Sequence, residues 1–447
     1  MKFVIIGGDA AGMSAASRAG RLQPDTEIIV FEQTEDVSYS ACGMPYNIAN
    51  PDVPVEDLVV RSAKVFREKQ GIDLRTGHRV TVIDRDRKLV KGENTDGDTF
   101  ECNYDALLLA TGASPIIPDI PGIDNEGVLP LKKLEDGRKL KAYLAEHTIK
   151  KAVIIGMGYI ALEMADSLRS RGIEVTMVKP RKRLLPWLNE KLSDVVHEEL
   201  VQNDVDVHSG HTINSISKTS NGLVVHCDDH DIECQLVLPA IGVKPNSELA
   251  KEAGLETSVH CSISVDRQSR TSDPNIYSAG DCADAYHVVT GKKAWVPLAV
   301  QANRGGRAVA DNLFGDGLEL QGIAGSAMFR VFGLEVARSG LNPGEAEEHG
   351  FDPVEITIES RSRAHAHPGN TTMHVAMVGD KKTGRLLGTQ MVGREGAAHR
   401  IHAVAVALHA GMKVADFWQC DLAYAPPFSP VWDPLLTASN QLSKKVT

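Results

Sequence analysis

The chain has 447 residues, 42% of them apolar and 24% charged, with a formal net charge of −11. That length accommodates about two to four domains with their own cores. The acidic balance argues against a nucleic-acid partner, and no apolar run approaches the ~20 residues of a membrane helix. Seven cysteines without a C-x-x-C pair suit neither a disulfide framework nor a zinc site, so a reducing, cytoplasmic setting and no metal centre are expected.

Residues 2–6 form an apolar run fit for a buried parallel strand, and with that strand opening at once no signal peptide is expected. The run enters a glycine turn, Phe3-Val-Ile-Ile-Gly7-Gly8-Asp9-Ala10-Ala11-Gly12, and a helix is expected to open near Gly12. A second strand, Glu27-Ile-Ile-Val-Phe-Glu32, follows, and Asp105-Ala-Leu-Leu-Leu-Ala-Thr-Gly112 is another buried strand ending in a turn. Residues 150–180 repeat the first plan, with the turn Val153-Ile-Ile-Gly156-Met157-Gly158-Tyr159-Ile160-Ala161. Ile276-Tyr-Ser-Ala-Gly280-Asp281 supplies a third strand and turn, expected to return to the first domain. From about residue 322 the pattern changes to mixed strands with a helix around 396–412. The expected class is α/β, with two Rossmann-like dinucleotide-binding domains and a C-terminal α+β domain. The expected spans are 1–115 with 245–320, then 116–244, then 321–447.

A strand feeding a glycine turn and a helix aims backbone N–H groups at a pyrophosphate. Glu32, closing the strand after the first turn, stands where an acid binds an adenosine ribose. Asp9 occupies the place of the second glycine. A carboxylate ~4 Å from a phosphate would cost about 4 kcal/mol at an effective dielectric of 20, so Asp9 must turn away, meet a cation or water, or cap a local N–H. The strand after the second turn ends at Lys179 rather than an acid, with Arg181, Lys182 and Arg183 behind it. Those cations fit the 2′-phosphate of NADP or form a solvated loop. NADPH is the expected donor, with NADH also usable. Two dinucleotide sites on one chain point to electron transfer between them.

The two turns, Ala110-Thr111-Gly112, Ser278-Ala279-Gly280-Asp281 and Leu422-Ala-Tyr424-Ala-Pro-Pro-Phe428-Ser-Pro resemble the pyridine-nucleotide disulfide oxidoreductases along essentially the whole chain. The segment Ser38-Tyr-Ser-Ala-Cys42-Gly-Met-Pro-Tyr46 is similar to that family's single-cysteine branch. Asn47 stands where the two-cysteine branch has its second cysteine. The resemblance implies FAD held at Gly7, Gly12, Glu32, Gly112, Gly280 and Asp281. It implies a nicotinamide nucleotide at Gly156, Gly158, Lys179, Arg181 and Arg183, with Glu163 near both rings, and a C-terminal dimerisation domain making a homodimer.

The resemblance also makes Cys42 the redox sulfur. A working thiolate is expected to titrate below the free value of ~8.5, helped by a helix N-terminus. With one protein sulfur, the oxidised partner is a small disulfide, persulfide or polysulfide, coenzyme A disulfide first among them. The alternatives are an NAD(P)H oxidase cycling Cys42 through sulfenic acid, or a flavoprotein electron carrier or redox sensor. Peroxidases and many oxidases of the family carry a histidine where Ala10 stands, which favours thiol chemistry. Arg18, Arg21 and Ser38 are expected on the substrate side, the arginines near coenzyme A phosphates or else on a solvated helix face. Tyr424 is expected as an acid for the departing thiolate or as an interface residue. Two positions depart from the family pattern. Ala41 replaces an asparagine before the cysteine, and His367 replaces a tyrosine before Pro368-Gly369, either as an acid or as a surface residue.

Overall fold

In the computed structural model, which describes residues 1–446, the apolar runs pair in parallel. Lys2–Ile6 lies between Glu27–Phe31 and Ala106–Leu109, with Phe3 opposite both Ile28 and Ala106. Ile276–Ser278 joins beyond Ala106–Leu109, and Asp73–Arg75 closes the other edge. Such strands are covered on both faces, which is why Val4, Ile5, Leu107 and Leu108 are all fully buried. The first helix spans Ala10–Leu22, opening two residues before the expected Gly12.

The plan recurs in a second parallel sheet, ordered Val205–Ser209, Glu174–Lys179, Lys151–Ile155, Leu236–Pro239. Its crossover helix is Tyr159–Ser170. The repeat extends beyond the strands named in the sequence. Each parallel sheet carries a three-stranded antiparallel meander, His78–Asp84, Leu89–Asn94, Thr99–Asn103 in one half and Ile213–Thr219, Gly222–Cys227, Asp231–Cys234 in the other. Ala113–Pro115 pairs antiparallel with Val243–Pro245, so the two chain crossings between the halves run side by side.

From Ala327 a five-stranded antiparallel sheet forms, with Leu386–Gly393 buried along its whole length near the middle. Helices Ala397–His409 and Pro434–Ser443 pack on it. Thr447, the last residue of the expected third span, lies outside the described residues.

One packing detail sets the shape of the first half. Helix Ala299–Phe314 crosses Ala10–Leu22 so closely that a Cβ on Gly306 would stand 2.0 Å from the Ala11 carbonyl oxygen. Only glycine permits that approach at Gly306, while a Cβ on its neighbour Gly305 would press on Ala279 Cβ at 3.1 Å. Among the described residues, no helix is long and apolar enough to cross a membrane.

Candidate active site

The first glycine turn is dictated by contact. Gly7 has φ +112°, and a Cβ there would meet the Ala110 oxygen at 2.1 Å. A Cβ on Gly12 would lie 1.9 Å from the Gly7 oxygen. Gly156 repeats the geometry, with φ +121° and the Ala240 oxygen 2.4 Å from its would-be Cβ. Gly112 and Gly158 differ, because open space lies where their side chains would stand. At those two positions a ligand can approach bare backbone.

Beside the first turn a cleft of about 660 Å³ is lined by Gly7, Asp9, Glu32, Ala41, Gly112, Lys132, Gly280 and Asp281, among others. Glu32 is fixed at its edge, accepting from Gly8 N–H at 2.8 Å through one oxygen and from Thr34 N–H and Oγ1 through the other. Lys132 pairs with Asp281 at 3.0 Å, and Trp295 Nε1 donates to the Asp281 carbonyl at 2.8 Å. The size of the cleft, its bare glycine backbone and its acidic edge fit FAD. Lys132 was not legible in the sequence, since it sits in a loop without any motif.

Asp9 stands at the N-cap position of its helix but makes no side-chain cap. Its Oδ1 instead accepts the Tyr39 N–H at 3.2 Å, tying the glycine turn to the cysteine segment. Burial pushes its carboxyl up to about 6, against the Tyr39 hydrogen bond and the Lys132 charge.

Cys42 lies in a 3₁₀ turn, Ala41–Gly43, one residue before the Gly43 cap of the short helix Met44–Ala49. That helix is anchored on the second half of the molecule. Ser167 Oγ donates to the Pro45 carbonyl at 2.7 Å, and Tyr46 Oη donates to Glu163 Oε1 at 2.7 Å. The cysteine segment therefore bridges the two dinucleotide halves. The expectation of a lowered thiol is not met by the protein atoms. Although Cys42 as a residue is exposed, the protein packed around its sulfur desolvates the thiolate and pushes the thiol up; Glu163 adds to this, while Lys132 pulls it down. Glu163 is itself pushed up to about 7 by burial, so near neutral pH its penalty on Cys42 comes and goes with one proton.

A separate groove of about 450 Å³ adjoins the same turn, lined by Asp9, Ser17, Arg21, Ser38, Arg61, Asn303 and Arg307, among others. Arg21 and Ser38 are among its lining residues. Arg18 is not: its guanidinium is held by Asp311 at 2.7 Å, on the crossing helix. Arg61 and Arg307 were missed. Arg307 follows the Gly305-Gly306 pair, whose close helix crossing was the available signal.

At the second site Lys179 ends its strand buried, 7% exposed. Burial and then the Arg181 charge push its ammonium down to about 8. Arg181 is exposed, whereas Arg183 is engaged by Glu190 at 2.5 Å.

The loops carrying His367 and Tyr424 meet on the C-terminal domain, where Ala364 N–H donates to the Pro426 carbonyl at 3.1 Å. Tyr424 is exposed and His367 half-buried, and among the described residues neither hydrogen-bonds to the Cys42 segment of its own chain. Phe428, Val431 and Trp432, all at least 60% exposed, continue this surface.

Residues 1–306 match the family Pyridine nucleotide-disulphide oxidoreductase, and residues 326–434 match its dimerisation domain. The NAD(P)H sulfur oxidoreductase (CoA-dependent) of Pyrococcus furiosus is 38% identical over 442 residues, covering 99% of each chain. The NAD-dependent persulfide reductase of A. fulgidus superposes with TM-score 0.96 at 36% identity, over 100% of this chain and 83% of that one. Reduced Bacillus anthracis CoADR-RHD gives TM-score 0.96 at 33% identity, over 99% of this chain and 80% of that one. The chain belongs to the pyridine nucleotide-disulphide oxidoreductase family.

Proposed function

We propose that the protein is an FAD-dependent NAD(P)H reductase of small disulfides, persulfides or polysulfides, coenzyme A disulfide foremost, acting through Cys42. The observation that carries this is the placing of one cysteine segment against three features at once. It meets the cleft through Ala41, the arginine-lined groove through Ser38 and Tyr39, and the second dinucleotide half through Tyr46 and Glu163.

Gly7, Gly12, Glu32, Gly112, Gly280 and Asp281 would hold FAD, with Lys132 fixing Asp281. Bound there, FAD supplies a two-electron relay between nicotinamide and sulfur. Gly156 and Gly158 would receive the nicotinamide nucleotide, Glu163 would lie beside its ring, and Lys179 with Arg181 would bind a 2′-phosphate. Arg183 would take part only on leaving Glu190. Arg21, Arg61 and Arg307 would bind the phosphates of coenzyme A, with Ser38 at the inner end.

The Cys42 thiolate attacks one sulfur of the substrate, forming a mixed disulfide and releasing the other half as thiolate. Two electrons then cleave the mixed disulfide, releasing the second thiol and restoring Cys42. The sum is one disulfide, one NADPH and one proton giving two thiols and NADP⁺. Tyr424 and His367 are distant from Cys42 in sequence and sit beside an exposed apolar face. In a homodimer they would reach the cysteine of the other subunit and protonate the departing thiolate. The spans 1–115 with 245–320, 116–244 and 321–447 are the units of this scheme, working in a reducing cytoplasm.

The test is anaerobic NADPH consumption by FAD-loaded enzyme with coenzyme A disulfide, beside Cys42→Ser. Turnover that needs both the disulfide and Cys42 supports the proposal. NADPH oxidation that needs oxygen and ignores the disulfide would move the chain to the oxidase reading.

A further inference from the structure

The sequence leads to the expectation of no metal centre. The fold nonetheless assembles a candidate group. His208 is the penultimate residue of the strand Val205–Ser209, His211 lies in the following turn, and Asp229 and His230 belong to the turn between Gly222–Cys227 and Asp231–Cys234. These segments are held together by backbone as well as side chain. Asp228 N–H donates to the Thr212 carbonyl at 3.1 Å, and Thr212 N–H donates to Asp228 Oδ2 at 3.0 Å.

Within this frame His211 Nδ1 and His230 Nδ1 lie 3.0 and 2.7 Å from the same Asp229 oxygen, Oδ1. One donor atom from each of the three residues lies within 4.8 Å of the other two. The His208 ring centroid is 4.6 Å from that of His230 and 5.8 Å from that of His211, and its Nε2 bonds Asp206 at 2.7 Å. The second nitrogen of His230, Nε2, is buried and has no hydrogen-bond partner.

We propose that His211, Asp229 and His230 form a binding site for a divalent transition-metal ion of the zinc class, with His208 as the next donor. Two or three imidazoles with one carboxylate suit zinc, cobalt or nickel rather than magnesium or calcium, which prefer all-oxygen sets. Zinc–ligand bonds of about 2.0–2.2 Å separate tetrahedral donors by roughly 3.3 Å. The two hydrogen bonds to Asp229 need open only by roughly half an ångström to admit the ion. The nearby cations Lys182 and Arg183, which line a cavity with His208 and His211, oppose a metal. Asp206, Asp228, Asp229 and Asp231 outnumber them, and Arg183 is already engaged by Glu190.

Occupancy would clamp the turn at residues 210–212 to the hairpin turn at 228–230. The first turn is bonded through Gly210 and His211 N–H to the Lys179 carbonyl, at 2.9 and 3.2 Å. The metal would therefore stiffen the strand end that carries Lys179.

The test is equilibrium dialysis of chelator-treated, FAD-loaded full-length enzyme against zinc chloride. The Cys42→Ser protein serves as the parent, to remove binding at the reactive thiol. The expected result is one zinc per chain with a Kd in the micromolar range or tighter. His211→Ala with His230→Ala, and separately Asp229→Asn, should each weaken it by at least roughly 10- to 100-fold with FAD content unchanged. Asp229→Asn alters one exposed side chain, so its folding is secure if the double variant fails to fold. Parent protein that binds no stoichiometric zinc, or Asp229→Asn protein that binds it as tightly as the parent, overturns the proposal.

Discussion

Replacing Lys179 with methionine keeps the buried aliphatic stem and removes only the charge. In the folded chain the ammonium titrates at about 8 against an ordinary 10.5. At about 1.36 kcal/mol per pH unit, holding the charge there costs about 3 kcal/mol. A 2′-phosphate beside it would offset that cost, and a charge-assisted hydrogen bond to phosphate contributes about 1.5–3 kcal/mol. Lys179→Met should therefore lower kcat/KM for NADPH by roughly 10- to 150-fold relative to NADH. The wild-type preference should also depend on pH. Below about 8 the ammonium is charged and attracts the phosphate; above it the attraction is lost. Because kcat/KM reports the free enzyme, the NADPH/NADH ratio should fall as pH rises through 8 in wild type and stay flat in Lys179→Met. Initial rates with each nucleotide from pH 6.5 to 9.5 read this directly. An unchanged ratio in the variant at pH 7 would refute the assignment of Lys179 to the phosphate.

Gly306→Ala places a methyl 2.0 Å from the Ala11 oxygen and must push two helices apart. It should cost about 1–3 kcal/mol and lower FAD content, read by thermal unfolding and by the flavin-to-protein absorbance ratio; a full-strength variant would show the contact to be slack. Arg21→Ala and Arg307→Ala should raise KM for coenzyme A disulfide while sparing a small uncharged disulfide. Arg18→Ala should leave both KM values alone, because Asp311 holds Arg18, and an equal KM rise there would contradict the groove assignment. Glu163 titrates at about 7 in the folded chain against an ordinary 4.5, so the fold favours its neutral form. Its contribution to stability is full below pH 4.5 and lost as pH rises through 7. Glu163→Gln should flatten that loss in denaturant titrations and move the alkylation profile of Cys42 to lower pH; an unmoved profile would show that Glu163 does not burden the thiol.

The duplicated parallel sheets were legible because buried parallel strands read as short apolar runs, and Gly7, Gly12 and Gly156 in their turns leave no room for a side chain. The meanders at 78–103 and 213–234 were not, since half-exposed antiparallel strands leave a weaker and more polar pattern. At the site, Glu32, Cys42, Glu163 and Lys179 carried motif positions and could be named in advance. Lys132, Arg61 and Arg307 could not, because they reach the cleft or groove from loops and a helix distant in sequence. Arg18 shows how packing engages a residue that its motif position singles out. Its place on the first helix suggested phosphate binding, but the helix crossing set by Gly306 brings Asp311 within reach of it. The thiol of Cys42 shows where local reasoning stops, because its principal burdens are burial and a carboxylate about 120 residues further on.

The central claim is that Cys42 passes through a mixed disulfide with its substrate. The direct measurement is to mix FAD-loaded enzyme, prereduced at Cys42 and freed of reductant, with coenzyme A disulfide, quench in acid, and map the peptides by mass spectrometry before and after NADPH. The account predicts coenzyme A attached at Cys42 alone, released as free thiol when NADPH is added anaerobically. Attachment elsewhere with Cys42 unmodified, or an adduct at Cys42 that NADPH leaves in place, would contradict it.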